Sequence, residues 1–137
     1  MSSVVIKGDT SGQVTLAAPA IAGTPTLTLP TTTGTVALTE NFTGSNVSLA
    51  TNGYQKLPSG LILQWGTTPS ISTDSSYAVT FPIAFPTACV TVQVCGKLGG
   101  ITGASGYSIG TGNYTTTGVT IYNDSNAQAT SWLAIGY

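Results

Sequence analysis

Residues 89–95, CVTVQVC, alternate between the two sides of an extended chain. Valine occupies every second position, and cysteine, threonine and glutamine lie between. Successive side chains of a β-strand point to opposite faces of a sheet, so this period of two predicts a strand. We expect Val90, Val92 and Val94 to form its apolar face. The two cysteines lie too far apart along one strand to form a disulfide, and we expect free thiols.

The same alternation recurs through the C-terminal half of the chain. Further strands are predicted at LILQW (61–65), YAVTF (77–81), VTIYN (119–123) and SWLAIGY (131–137), with a weaker one at 107–109. Alternation puts Leu61, Leu63 and Trp65 on one face of their strand, and Tyr77, Val79 and Phe81 on the apolar face of theirs. Val119 and Ile121 are expected to face inward, and Trp65 and Trp132 to belong to the core. Because no stretch of ten residues repeats with the period of a helix, we predict an all-β fold with a small antiparallel β-sandwich.

The N-terminal stretch VTLAAPAIAGTPTLTLPTTTGTVAL (14–38) also alternates, in short runs bounded by proline. About forty residues with so few large apolar side chains do not usually form a core without a partner. We therefore predict an extended β arm over 1–40 that other chains complete, a linker over 41–52 and a sandwich tip over 53–137. The apolar side chains that would make the arm adhesive are Val14, Leu16, Leu27, Leu29, Val36 and Leu38.

Charge is scarce in this chain. Only seven of 137 residues are charged, and histidine and arginine are absent. A nucleic-acid binder needs a stripe of lysine and arginine, and most catalytic and zinc sites need histidine or paired titratable groups. We therefore expect no enzyme, no metal, no cofactor, no nucleic-acid partner and no membrane insertion. The N-terminus also lacks the pattern of a secretion signal.

Tyrosines lie in or beside loops rich in glycine and asparagine. An aromatic face flanked by amides and carboxylates suits a sugar, because the ring covers the apolar C–H patch while the polar groups bind hydroxyls. The alternative is that these rings pack over loop edges. The candidate receptor-binding residues are Tyr107, Asn113, Tyr114, Tyr122, Asn123 and Asp124.

Three segments of the chain resemble a known family. NGYQKLPSGLILQWG (52–66), FPIAFPTACVTVQV (81–94) and SWLAIGY (131–137) are similar, in order and spacing, to the gp53-like C-terminal domain of phage tail-fibre proteins. The resemblance implies a lectin-like β-sandwich, similar to H-type lectins, that forms a trimer and recognises the host surface.

Two functions remain open at this point. The first is a short tail fibre that attaches by its arm to the baseplate or another virion protein and binds a host glycan through its tip. The alternative is a trimeric decoration protein of the capsid. In either case the protein would be assembled in the host cytoplasm and belong to the virion. For the trimer seam of the tip we expect Leu57, Leu61 and Ile62, as apolar residues that one sandwich leaves exposed.

Overall fold

The computed structural model describes the chain apart from residues 1–2, 8–9, 18–19, 22, 25, 27–30, 35–36, 98–107 and 125. The chain divides into two compact units, residues 1–35 and residues 36–137. Each unit is described by itself.

The first unit contains an antiparallel hairpin of β1 (Ser3–Lys7) and β2 (Gln13–Ala17). Its register places four apolar side chains on one side, since Val4 lies opposite Leu16 and Ile6 lies opposite Val14. All four are exposed. A two-stranded hairpin is at best marginally stable alone in water, so this apolar side is suited to burial against another surface.

The arm residues predicted from the sequence are distributed unevenly over the structure. Val14 and Leu16 lie in the hairpin, whereas Leu38 is exposed and belongs to the second unit. Leu27, Leu29 and Val36 lie outside the described residues.

The second unit is built from antiparallel strands in two sheets. Its elements are the 3-10 turns Thr39–Phe42 and Gly44–Asn46 and the strands β3 (Val47–Ser48), β4 (Gly53–Lys56), β5 (Ile62–Thr67), β6 (Ser75–Thr80), β7 (Cys89–Lys97), β8 (Ile109–Tyr114), β9 (Gly118–Asn123) and β10 (Ala129–Gly136). One sheet has the order β3-β4-β5-β10-β7, and the other has the order β6-β9-β8. The fold is all-β and antiparallel, as the alternation predicted.

The two sheets enclose one apolar core. Its buried side chains are Ile62, Ile71, Val79, Phe81, Phe85, Val92, Val119, Ile121, Trp132 and Ala134. The ring of Phe81 packs edge-on against Phe85, with 5.3 Å between centroids, and lies 5.7 Å from the ring of Trp132. The expected inward positions of Trp132, Val119 and Ile121 are thus observed.

Strand β5 packs against the core through the face opposite to the one predicted. Its leucines had favoured the face that carries Leu63 and Trp65. Gln64 and Gly66 face inward, whereas Leu63 and Trp65 are half-buried on the outer face. A Cβ placed at Gly66 would lie 2.5 Å from Cζ2 of Trp132, so this glycine makes room for the Trp132 ring. The outer indole of Trp65 donates its Nε1–H to the carbonyl of Ala50, at 3.2 Å.

The same observation shows that one residue predicted for the trimer seam, Ile62, was assigned wrongly. Ile62 is only 4% exposed and belongs to the core, so it cannot lie at an interface between copies. Leu57 and Leu61 are half-buried around the turn between β4 and β5, where the Leu57 N–H donates to the Leu61 carbonyl at 2.8 Å.

Strand β7 departs from simple alternation near its start. Ile135 of β10 pairs with Thr91, and the next residue, Gly136, pairs with Cys89, so Val90 is an extra residue in β7. Such a β-bulge changes which side chains face inward. Cys89 therefore packs against the core, and Val90 is 54% exposed rather than inward as predicted.

Tyr77 also departs from its expected inward position, since it is 41% exposed near the start of β6. Val79, two residues further along the same strand, is buried as predicted.

Residues 41–52, predicted as a linker, are part of the second unit. Strand β3 within this segment pairs with β4. The side-chain amide of Gln55 on β4 donates to the carbonyls of Phe42 and Asn46, at 3.3 Å and 3.2 Å. The segment thus forms the edge of the five-stranded sheet.

The buried amide of Gln64 provides a test of the inverted face of β5. Its Nε2 donates to the carbonyl of Ile83 at 2.9 Å, and its Oε1 accepts from the Ile83 N–H at 3.0 Å. Gln64→Ala removes both bonds and leaves a cavity, and should lower the free energy of unfolding by about 2–4 kcal/mol. Urea denaturation measures this loss. Thr80→Ala, on an exposed position of β6 in the other sheet, is the control and should stay within about 0.5 kcal/mol of the parent; equal losses in both variants would contradict this assignment.

Candidate functional site

The outer face of the three-stranded sheet carries small side chains and one aromatic ring. Tyr122 on β9 pairs with Ser76 on β6 and with Gly110 on β8. The ring of Tyr122 is 52% exposed. Strand β8 leaves space for it, because a Cβ placed at Gly112 would lie 2.6 Å from Cε2 of the ring. The ring therefore lies across a glycine position of β8 with much of its surface open to solvent.

Tyr122 lies at the border of an open depression of about 640 Å³. The residues that line it are Asp74, Ser75, Ser76, Tyr122, Asn123 and Asp124. Asp74 has φ +51°, a left-handed conformation that aspartate tolerates better than most residues, and this turn starts β6. The depression thus combines an aromatic ring, hydroxyls and two carboxylates.

Asn123 lies beneath this depression and is not a surface contact. Its side chain is 1% exposed, and its Nδ2 donates to the carbonyls of Ile71, Ser72 and Asn126 at 2.9, 3.2 and 3.1 Å. Its Oδ1 accepts a bond from Nε2 of Gln128 at 3.3 Å. These bonds connect the loop before β6 to the loop after β9. The prediction that Asn123 contacts a receptor is therefore wrong, because its polar atoms are used to hold the two rims of the depression.

The remaining predicted receptor residues do not form one site. Tyr114 donates its hydroxyl to the Val90 carbonyl at 3.1 Å and so connects β8 to the bulge of β7. Asn113 is exposed and borders a separate depression of about 250 Å³, beside the turn between β8 and β9. Tyr107 lies outside the described residues. Of the predicted set, the structure brings together only Tyr122 and Asp124 as exposed side chains.

The sequence pattern did not predict that Asp74, Ser75 and Ser76 belong to this site. They are 46 or more positions away from Tyr122 along the chain, and they reach it only because β6 pairs with β9. The sequence does place Asp74 shortly before the strand predicted at 77–81. Alternation alone, however, does not predict which strands pair with each other.

Other reactive groups do not add to this site. Cys89 and Cys95 are free thiols, and burial raises the pKa of the Cys89 thiol, an effect that a hydrogen bond with the Thr91 backbone opposes. Within the described part of the chain, no group of three or more potential metal ligands comes together. Among the same residues, no helix is long and apolar enough to cross a membrane.

Comparison with known proteins connects this sandwich to tail fibres. A family model described as tail fiber protein gp53-like, C-terminal, matches residues 56–137. The chain belongs to the gp53-like tail-fibre family. No curated protein matches the chain.

Solved structures support the same assignment. The N-truncated R1-type pyocin tail fiber is 33% identical with a TM-score of 0.57, over 66% of this gp53-like chain and 84% of that fibre chain. The N-truncated R2-type pyocin tail fiber is 27% identical with a TM-score of 0.60, over 86% of this chain and 57% of that one. A longer R2 pyocin fiber from P. aeruginosa has the same identity and TM-score, and the match spans 39% of its length.

These comparisons confirm the resemblance inferred from the sequence and assign a structural role in a phage tail fibre. They favour the fibre over the capsid decoration protein, since the matching family and structures are tail fibres.

Replacing Asn123 tests whether it is a structural residue. Asn123→Ala removes the bonds to three backbone carbonyls, and should lower the free energy of unfolding by about 2–4 kcal/mol. Asn113→Ala, at an exposed position of β8, should change it by less than about 0.5 kcal/mol. Chemical denaturation of both variants measures the difference, and an Asn123→Ala protein as stable as the parent would contradict the structural role of this side chain.

Proposed function

We propose that this chain is the receptor-binding part of a tail fibre and that it recognises a host surface glycan, in the manner of a lectin, at the depression beside Tyr122. The observation that carries the proposal is the exposed Tyr122 ring, which lies across Gly112 of β8 in the depression that Asp74 and Asp124 also line. Sugar-binding sites place an aromatic ring against the apolar face of a pyranose and bind its hydroxyls with polar side chains. The depression contains both kinds of group within one surface.

An open depression of this kind supports weak binding at each site. Several linked copies would raise the overall affinity, because the first contact increases the effective concentration of the others. Recognition at a cell surface therefore fits a protein that presents several tips together. The proposed role is binding without catalysis, since the sequence has no histidine and few titratable groups.

We also propose that the tip assembles as a homotrimer through the outer face of the five-stranded sheet. Leu63 pairs with Ile135, and Trp65 pairs with Leu133, so four large apolar side chains form one block on this face. Leu133 is 38% exposed in the single chain. Burying such a block against other copies removes apolar surface from water and needs no charged partner.

The apolar side of the β1–β2 hairpin suggests a role in attachment. Val4, Ile6, Val14 and Leu16 are exposed together there, and their burial against a baseplate protein or another virion protein would join the fibre to the tail. The match to the R2-type pyocin fibre covers more of this chain than residues 36–137 contain, which supports a place for the N-terminal unit within a fibre. Assembly would take place in the host cytoplasm.

Tyr122→Ala tests the proposed receptor site. Loss of the ring should weaken binding to susceptible host cells at least about tenfold while leaving the fold intact. Binding of labelled protein to whole cells measures the effect. Tyr137→Ala is the matched control, because Tyr137 has a similar exposure and follows the opposite end of β10 from the depression. Equal binding by the Tyr122→Ala and parent proteins would reject this site.

Leu133→Asp tests the proposed seam. A carboxylate in the centre of the apolar block should convert the trimer into monomers, because its burial without a partner is unfavourable. Sedimentation equilibrium measures the mass. Ala78→Asp, on an exposed position of the other sheet, should leave the trimer intact. A parent protein that sediments as a monomer would contradict the proposal.

A further inference from the structure

We infer that the depression beside Tyr122 binds saccharides that carry no anionic group and discriminates against glycans that bear phosphate, uronate or sialate. This inference rests on the proposed function and specifies its ligand class. It depends on which charges the fold places around the Tyr122 ring and which it places elsewhere.

The charged side chains that line the depression are both carboxylates. Asp74 begins the turn into β6, and Asp124 follows β9, so they come from the two loops that Asn123 holds together. Both residues are exposed. Carboxylates accept hydrogen bonds from sugar hydroxyls, and they repel a ligand of the same sign.

Neither lysine of the second unit lines the depression. Lys97 lies on the same face of β7 as Gln93 and Cys95, because the three residues are two positions apart. Gln93 and Cys95 pair with Leu133 and Ser131 on the outer face of the five-stranded sheet. The three-stranded sheet packs against the other face, and stacked sheets lie about 10 Å apart. Lys97 therefore extends away from the face that bears Tyr122.

Lys56 is likewise not among the residues that line the depression. It lies on β4, two positions from β10 in the five-stranded sheet, and its Nζ is 5.9 Å from the centroid of the Tyr54 ring. The segment 98–107, LGGITGASGY, contains no charged residue at all. The second unit therefore supplies no cation to the depression from Lys56, from Lys97 or from this segment.

The consequence is an asymmetry between neutral and anionic sugars. A neutral sugar can place its C–H face on Tyr122 and donate hydroxyls to Asp74, Asp124 and the serines. An anionic sugar would bring a like charge close to two carboxylates with no compensating lysine from the second unit, and juxtaposed like charges are a common source of specificity.

The experiment is binding of the full chain to an array of bacterial surface polysaccharides, sorted into those with and those without anionic groups, at about 0.15 M salt. We expect binding to members of the group without anions, and at least about tenfold weaker binding to their anionic counterparts. The double variant Asp74→Asn/Asp124→Asn should reduce this discrimination to less than about threefold. Glu40→Gln removes a carboxylate from the 3-10 turn Thr39–Phe42, outside the depression, and should preserve it.

The outcomes separate the two proposals. Tight binding to anionic polysaccharides by the parent protein would overturn the ligand class and leave the glycan-binding function standing. Discrimination that persists in the double variant would overturn its assignment to Asp74 and Asp124. A parent protein that binds neither the array nor host cells would overturn the proposed function itself.

Discussion

Two side-chain amides lie between the sheets of this sandwich, where water cannot reach them. Gln64 is fully buried and bonds both backbone polar groups of Ile83, and Asn123 bonds three backbone carbonyls. Most buried polar groups in proteins are hydrogen-bonded, because an unsatisfied one lowers stability by about 1–3 kcal/mol. The loops that meet these amides are therefore held to one arrangement. The surface of the tip depends on that internal constraint.

The site beside Tyr122 illustrates how an internal bond shapes an external surface. Asn123 faces inward, and its neighbours Tyr122 and Asp124 are exposed. The bonds of Asn123 to Ser72 and Asn126 tie down the loops that lead to Asp74 and away from Asp124. A ligand that binds on this surface meets groups already positioned by the core, and such preorganisation lowers the ordering cost of binding.

This member of a tail-fibre family carries few charged residues. With few charges, the protein relies on apolar burial and on backbone pairing for its stability. The apolar sides of the hairpin and of the five-stranded sheet are consistent with assembly into a larger structure, and membership of the gp53-like family agrees with this. The few carboxylates that remain then have a large influence, because little opposing charge surrounds them.

Alternation along the sequence determined the all-β class, the positions of most strands and the inward placement of Val119, Ile121 and Trp132, because side chains of a strand point alternately to its two faces. Only the tertiary structure decided which face of β5 is buried. Leucine and tryptophan at alternate positions favoured one face, but the ring of Trp132 needs the space left by Gly66, and Gln64 needs the backbone of Ile83. The bulge at Val90 likewise follows from the pairing of β7 with β10, and the proximity of Asp74 to Tyr122 follows from the pairing of β6 with β9. Such pairing depends on contacts between segments far apart in sequence, and a local period carries no information about them.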